Sequence, residues 1–305
     1  MLWRAVFLRF LVLRANRAHF VIVDSDTMFT KKVRLKATES AYFGGFEEAA
    51  VMMFHTNRAA FILADGCIWS VDVKSGKAAY QGQLTGQCLS YAVNKKSRSC
   101  YVVTDEKDCV YTIGEKEAVP SACLMTPAFP KVVQYDSLMQ LLYILCAGES
   151  CVYLVDTKND EEAVKIKLPE NPLAFAQHKE MLWVFFYQEG RKPALCKLNM
   201  QGKVLARRTV DVYPGDCYLT MHGEKLYVSD LFTGKICIFD TDTLIEEQTL
   251  YFLKPQKIIT ADEYKEELYL YESDGQNLAV LSTRNGKVKK RFGLGFKIAD
   301  VCALR

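Results

Sequence analysis

The sequence predicts an all-β protein of seven four-stranded antiparallel blades set around an axis as a propeller, and three observations carry that expectation. Short apolar runs recur in threes, and each third run ends on a turn-forming residue. Those residues, Asp24, Asp72, Gly114, Asp156, Asn199, Asp240 and Ser282, stand 48, 42, 42, 43, 41 and 42 positions apart. A period of about 40 to 45 residues with four short strands per repeat is that of a propeller blade. The run after each corner is more polar, as suits an outermost strand.

The elements follow from this frame. Before Asp24 there is room for two strands, Phe7 to Leu13 and Ala18 to Val23, with KKVRLK (Lys31 to Lys36) as the outer one. The C-terminal run Lys297 to Leu304 then supplies the innermost strand of that blade and closes the ring, so residues 1–305 are expected as one domain. The corners DSDT, DVKSG, DTKND, NMQG, DTDT and STRNG are hairpin turns built on Asp, Asn, Gly and Ser. The runs LLYILC, LWVFFY and CIWSV are apolar at every alternation, which a sheet covered on both faces requires. The best-formed repeat is KLYVSDLFTGKICIFDTDTLIEEQTL, Lys225 to Leu250. With the run before it, it predicts strands at Cys217 to Met221, Lys225 to Ser229, Lys235 to Asp240 and Leu244 to Leu250.

Composition narrows the class of protein. Half of the 305 residues are apolar and a quarter charged, an ordinary globular balance, and a net charge of +3 gives no argument for nucleic acid by itself. Of eleven cysteines, ten (Cys67, Cys88, Cys100, Cys109, Cys146, Cys151, Cys196, Cys217, Cys237 and Cys302) lie in or beside apolar runs. They are expected as reduced core residues of an intracellular protein, cytoplasmic or nuclear, and no C-x-x-C spacing points to zinc. The N-terminal stretch MLWRAVFLRFLVLRANRAHF holds four arginines and no acid, which makes a mitochondrial location the alternative. Its apolar runs are too short to span a membrane.

The repeats KLYVSDLFTGKICIFDTDTLIEEQTL and CIWSVDVKSGKAAYQGQL resemble the WD40-like and YVTN-type propeller repeats, in which an apolar strand, a small-residue turn, a strand ending in Asp and a Thr- and Gly-rich turn follow one another. The resemblance covers essentially the whole chain and implies a seven-bladed propeller. Val71-Asp72, Val155-Asp156 and Phe239-Asp240 stand where that family has Trp-Asp, and no Gly-His pair precedes a repeat.

Catalytic chemistry finds little support. The inner runs VMMF, CLSYAV, LAFAQ, CYLTM and KIIT are apolar or neutral, leaving Asp262 and Asp300 as isolated acids where an axial metal would need several. The histidines His19, His55, His178 and His222 have no neighbouring Cys or paired acid, and Gly148-Glu149-Ser150-Cys151 is a hairpin turn. No catalytic residue, metal site or cofactor is therefore expected. Two surfaces remain. One is a loop face carrying Tyr42, Phe43, Phe46, Phe129, Tyr213, Asp216, Asp230, Phe252 and Phe296, aromatic anchors within an acidic rim that suits a basic extended peptide. The other is a basic outer edge, Lys31, Lys32, Arg34 and Lys36 with Lys287, Lys289, Lys290 and Arg291, suited to an acidic protein segment, RNA or an anionic membrane. Ala206-Arg207-Arg208-Thr209 resembles the Arg-Arg pair of phosphoinositide-binding propellers without its flanking Phe and Gly. The sequence thus points to a non-catalytic interaction module within a larger assembly. The alternatives are a propeller enzyme with an axial site and a nucleic-acid or phosphoinositide binder.

Overall fold

A computed structural model describes residues 9–14, 19–24, 30–34, 36–37, 50–55, 58–62, 66–115, 122–158, 161–187, 189–220, 223–262, 264–273 and 275–304. The strands of its first half are β1 (Arg9–Arg14), β2 (His19–Asp24), β3 (Thr30–Arg34), β4 (Lys36–Ala37), β5 (Ala50–His55), β6 (Arg58–Ile62), β7 (Cys67–Asp72), β8 (Lys77–Gln83), β9 (Cys88–Asn94), β10 (Ser99–Thr104), β11 (Cys109–Gly114) and β12 (Ala122–Met125). There follow β13 (Pro130–Asp136), β14 (Leu141–Cys146), β15 (Cys151–Asp156), β16 (Glu161–Lys167), β17 (Pro172–His178), β18 (Met181–Phe186), β19 (Ala194–Asn199) and β20 (Val204–Thr209). The last are β21 (Pro214–Leu219), β22 (Lys225–Asp230), β23 (Lys235–Asp240), β24 (Glu246–Tyr251), β25 (Gln256–Asp262), β26 (Glu267–Glu272), β27 (Asn277–Ser282), β28 (Val288–Gly293) and β29 (Ile298–Leu304).

The third strand of each repeat ends on its predicted corner residue, because the corner is set by local chemistry. The Asp240 carboxylate accepts from the Thr243 amide at 2.7 Å and from the Asp242 amide at 3.2 Å. Asp136, Asn94 and Asn199 serve their own turns in the same way.

Among the described residues six sheets are four-stranded and antiparallel, in the orders β29-β1-β2-β3, β9 to β12, β13 to β16, β17 to β20, β21 to β24 and β25 to β28. The expected count of seven such blades is therefore corrected to six. The remaining sheet is five-stranded and mixed, β4-β8-β7-β6-β5, with Lys36 beside Lys77 and Ala37 beside Ala78 in parallel. The chain leaving β3 runs along the outer edge of β8 instead of departing as a loop. Gly76 permits the approach, since a Cβ there would collide with the Arg34 carbonyl.

The chain divides into two compact units, one of Met1–Glu106, Tyr111–Leu124 and Gly295–Arg305, the other of Lys107–Val110 and Met125–Leu294. In the first, Leu11 and Phe20 pack with Trp69 and Val71, while Ile62 and Ile68 pack with Cys100, Val102 and Ile113. Within the β9 to β12 sheet, Cys109 and Cys123, on the neighbouring strands β11 and β12, are disulfide-bonded. That corrects the expectation of Cys109 as a reduced thiol: Cys123 lies outside the apolar runs, and only the strand pairing brings the two together.

In the second unit, successive sheets share apolar layers. Leu145 and Leu154 lie with Phe175 and Val184, Phe185 and Leu195 with Val228 and Phe239, and Tyr227 and Ile238 with Leu268 and Leu281. Two polar contacts cross the same layers. The Trp183 indole Nε1 donates to the Thr241 carbonyl at 2.9 Å, and the buried Tyr227 hydroxyl donates to the Thr283 carbonyl at 2.8 Å. The residue after each of these corners thus receives a bond from the preceding sheet. In β21 a bulge shifts the register between Pro214 and Cys217, so this strand begins before the predicted Cys217. Leu244, expected in the outer strand, is instead a buried turn residue with φ of 57° whose amide donates to the Asp240 carbonyl.

Candidate partner-binding face

The loops at one end of the β21–β24 sheet form the most developed surface of the second unit. Three segments meet there, 210–213, 231–234 and 252–255. The Leu231 amide donates to the Tyr213 carbonyl at 2.8 Å, and the Phe252 amide donates to the Gly234 carbonyl at 2.7 Å. Gly234 is obligatory, because a Cβ would overlap the Phe252 carbonyl oxygen.

Asp230 sets the geometry. The residue is 4% exposed, and its carboxylate accepts from the amides of Tyr213 at 2.9 Å, Phe232 at 3.0 Å and Thr233 at 2.7 Å. One side chain thereby fixes two loops, and charge-assisted bonds of this kind are among the stronger ones. The consequence is an edge-to-face pair of Tyr213 and Phe232, ring centroids 5.7 Å apart and planes at 67°. Phe232 is nonetheless 70% exposed, beside Leu231 at 57%, Tyr251 at 71% and Leu253 at 97%. Phe252 is half-buried under the Arg291 guanidinium, 4.8 Å above its ring.

The predicted residues therefore part company. Tyr213 belongs to the exposed cluster, while Asp230 lies beneath it as a clamp. Asp216 is also turned inward: its Oδ2 accepts from the Ile258 amide at 2.9 Å, and its own amide donates to the Ser229 hydroxyl at 2.8 Å, tying β21 to β25. Phe129 occupies in the β13–β16 sheet the place Tyr213 has in its own, just before a proline that opens the inner strand. It is 69% exposed, holds a φ of 54°, and donates its amide to Asp108 at 2.8 Å. Phe296 is half-buried just before β29 in the first unit. Tyr42, Phe43 and Phe46 lie outside the described residues.

Several acids of these loops are already engaged. Asp211 bridges Lys192 at 3.1 Å and Lys235 at 3.5 Å. Its carboxyl is held below the ordinary range by the hydrogen bond from Lys192 and the Lys235 charge. Glu149 pairs with Lys165 and accepts from the Ala128 amide, which lowers its pKa likewise. Glu170 pairs with Arg207 at 2.5 Å. What the β21–β24 end of the unit presents outward is thus chiefly apolar.

Of the basic edge, Lys31, Lys32 and Arg34 are exposed on β3 in the first unit, and Lys36 lies on β4. Lys287, Lys289, Lys290 and Arg291 are exposed in the second unit, at and along β28. Among the described residues no group of three or more His, Cys, Asp or Glu side chains is placed to hold a metal ion. The His178 imidazole lies against Gly223, where a Cβ would meet its Cδ2 at 2.8 Å, and His222 is outside the described residues.

Leu231 and Phe232 lie in the Asp230 to Gly234 loop, the part of this repeat that the sequence offers for function, while Tyr251 and Leu253 are outside the residues it singles out. One signal marks the first two: the corners between second and third strands read AGES at 147–150 and SDGQ at 273–276, but LFTG at 231–234. Two large apolar residues at a hairpin tip, where polar ones serve elsewhere, are the departure to look for.

No protein-family model matches the sequence, and no curated protein matches it. Solved structures do. The chain is similar to hydrazine synthase of Kuenenia stuttgartiensis, with a TM-score of 0.66 and 14% identity over 87% of this chain and 92% of that one. It is similar to the Swd1 β-propeller domain of Myceliophteria thermophila, with a TM-score of 0.61 and 13% identity over 84% of this chain and 89% of that one. It also resembles a chain of a nidogen/laminin complex, with a TM-score of 0.57 and 8% identity over 98% of both. At these identities the likeness shows the all-β propeller fold and nothing of activity.

Proposed function

We propose that the protein is a non-catalytic interaction subunit that holds a protein partner through the loop end of the β21–β24 sheet. The observation that carries this reading is the exposed cluster of Tyr213, Leu231, Phe232, Tyr251 and Leu253, with Tyr213 and Phe232 fixed by the buried Asp230 carboxylate. Apolar anchors on loops that are already ordered lose little conformational entropy on binding, and burying one side chain of this size contributes about 1.5–3 kcal/mol. Because Asp216 and Asp230 face inward and Asp211 is neutralised by two lysines, the partner is selected by apolar shape at this surface more than by positive charge. A propeller enzyme with an axial site is the competing reading.

The test is quantitative co-purification of the intact chain against the double variant Leu231→Asp/Phe232→Asp. Both residues project from a hairpin tip, so the variant is expected to keep its far-UV circular dichroism and thermal midpoint. Loss of a stoichiometric partner in the variant supports the reading. Identical co-purifying proteins from both forms would overturn it.

A further inference from the structure

The outer edge of the β25–β28 sheet carries a second, independent feature. β28 ends its sheet, with no strand on its outer side among the described residues. Its sequence with the preceding turn residue, KVKKRFG, is the most basic outer strand of this unit: β24 carries Glu246 and Glu247, and β16 carries Glu161 and Glu162. Lysine on an edge strand guards against self-pairing, and cations recur on β16 (Lys165, Lys167) and β20 (Arg207, Arg208), but Lys165 pairs with Glu149 and Arg207 with Glu170, whereas β28 with its turn residue gathers four cations and no acid.

Not all the cations of β28 are equally available. Lys289 pairs with Glu267 at 3.2 Å and Arg291 lies over Phe252, whereas Lys287 and Lys290 are exposed and have no carboxylate partner among the described residues. The protein itself shows what such an edge accepts. In the five-stranded sheet, β4 lies along the outer strand β8 as an added parallel strand.

We infer that β28 is a docking edge for an acidic protein segment in extended conformation, which adds as a fifth strand and sets its carboxylates against Lys287 and Lys290. Backbone hydrogen bonds supply the pairing, and the charges supply the choice of partner and of register. The edge uses neither Tyr213 nor Phe232, so it stands or falls separately from the loop surface.

The experiment is fluorescence anisotropy of the full chain with a labelled peptide of about ten residues alternating Glu and Val, long enough to cover one strand. Saturable binding is expected, weakened about tenfold or more by Lys287→Glu/Lys290→Glu and to a smaller degree by Lys287→Gln/Lys290→Gln. Two reversals on other turns, Lys158→Glu/Lys203→Glu, are expected to leave it within about twofold, since screening limits charge effects at long range. The same peptide N-methylated at alternate residues keeps its charge but cannot pair, and is expected to bind at least about tenfold more weakly. Equal affinity for the N-methylated peptide, no effect of the Lys287/Lys290 variants, or no binding at all overturns the proposal. So does tighter, equally Lys290-dependent binding of a single-stranded RNA oligomer or of phosphatidylserine vesicles.

Discussion

Replacing Asp230 tests whether one buried carboxylate organises the loop surface. In Asp230→Ala the amides of Tyr213, Phe232 and Thr233 lose their acceptor together. Each hydrogen bond to a charged group is worth about 1.5–3 kcal/mol, but Tyr213, Phe232 and Thr233 are exposed residues where water can replace part of the loss. The three bonds therefore do not add, and we set the cost at about 3 kcal/mol. For a chain of this size that corresponds to a thermal midpoint lowered by about 5 °C. Asp230→Asn separates charge from shape: its oxygen still serves Phe232 and Thr233, while its amide opposes the Tyr213 amide donor, for a loss of about 1–2 kcal/mol. Urea unfolding followed by circular dichroism gives the free energies, and near-ultraviolet dichroism reports the packing of Tyr213 against Phe232. The reasoning is refuted if Asp230→Ala lies within about 0.5 kcal/mol of the parent, the range of an ordinary surface substitution.

Four further outcomes follow from the same structure. Tyr227→Phe removes the donor to the Thr283 carbonyl and should cost about 1–1.5 kcal/mol in urea unfolding, with the core volume unchanged. Gly234→Ala, which forces a Cβ into the Phe252 carbonyl, should cost more than about 2 kcal/mol or yield insoluble protein, and a neutral result would show that the 231–234 turn relaxes freely. Non-reducing peptide mapping should recover Cys109 and Cys123 in one linked species, and reduction of a loop of this length should lower stability by about 3 kcal/mol. Asp240 is held below its ordinary pKa of 3.8, first by the Thr243 hydroxyl and then by the Thr243 amide. Its contribution is complete above that ordinary value and lost as pH falls through the lower folded value, so Asp240→Asn should flatten the acid limb of the stability profile relative to the parent.

What the sequence disclosed and what it withheld divide along the range of the interactions involved. The corners were legible because an Asp or Asn side chain reaches amides only two to four positions ahead, so that DTDT or NMQG announces its turn without help from the rest of the chain. The outer strand β24 begins two residues later than its apolar pattern implies because Leu244 is taken into the turn and buried there, a choice made by the neighbouring sheet. The parallel addition of β4 to β8 and the bond between Cys109 and Cys123 are likewise decided across the fold.

Asp230 shows the same division within a single side chain. An acid at the end of an apolar strand, followed by Leu, Phe, Thr and Gly, has the look of a rim residue, and its two forward bonds to Phe232 and Thr233 are of the local kind. Its third bond, to Tyr213 seventeen positions earlier, turns it from a turn-former into the brace of a surface. Where one carboxylate serves both the local turn and a distant loop, the exposed aromatic residues above it gain a fixed arrangement, and that arrangement gives Tyr213 and Phe232 the rigidity a partner surface requires.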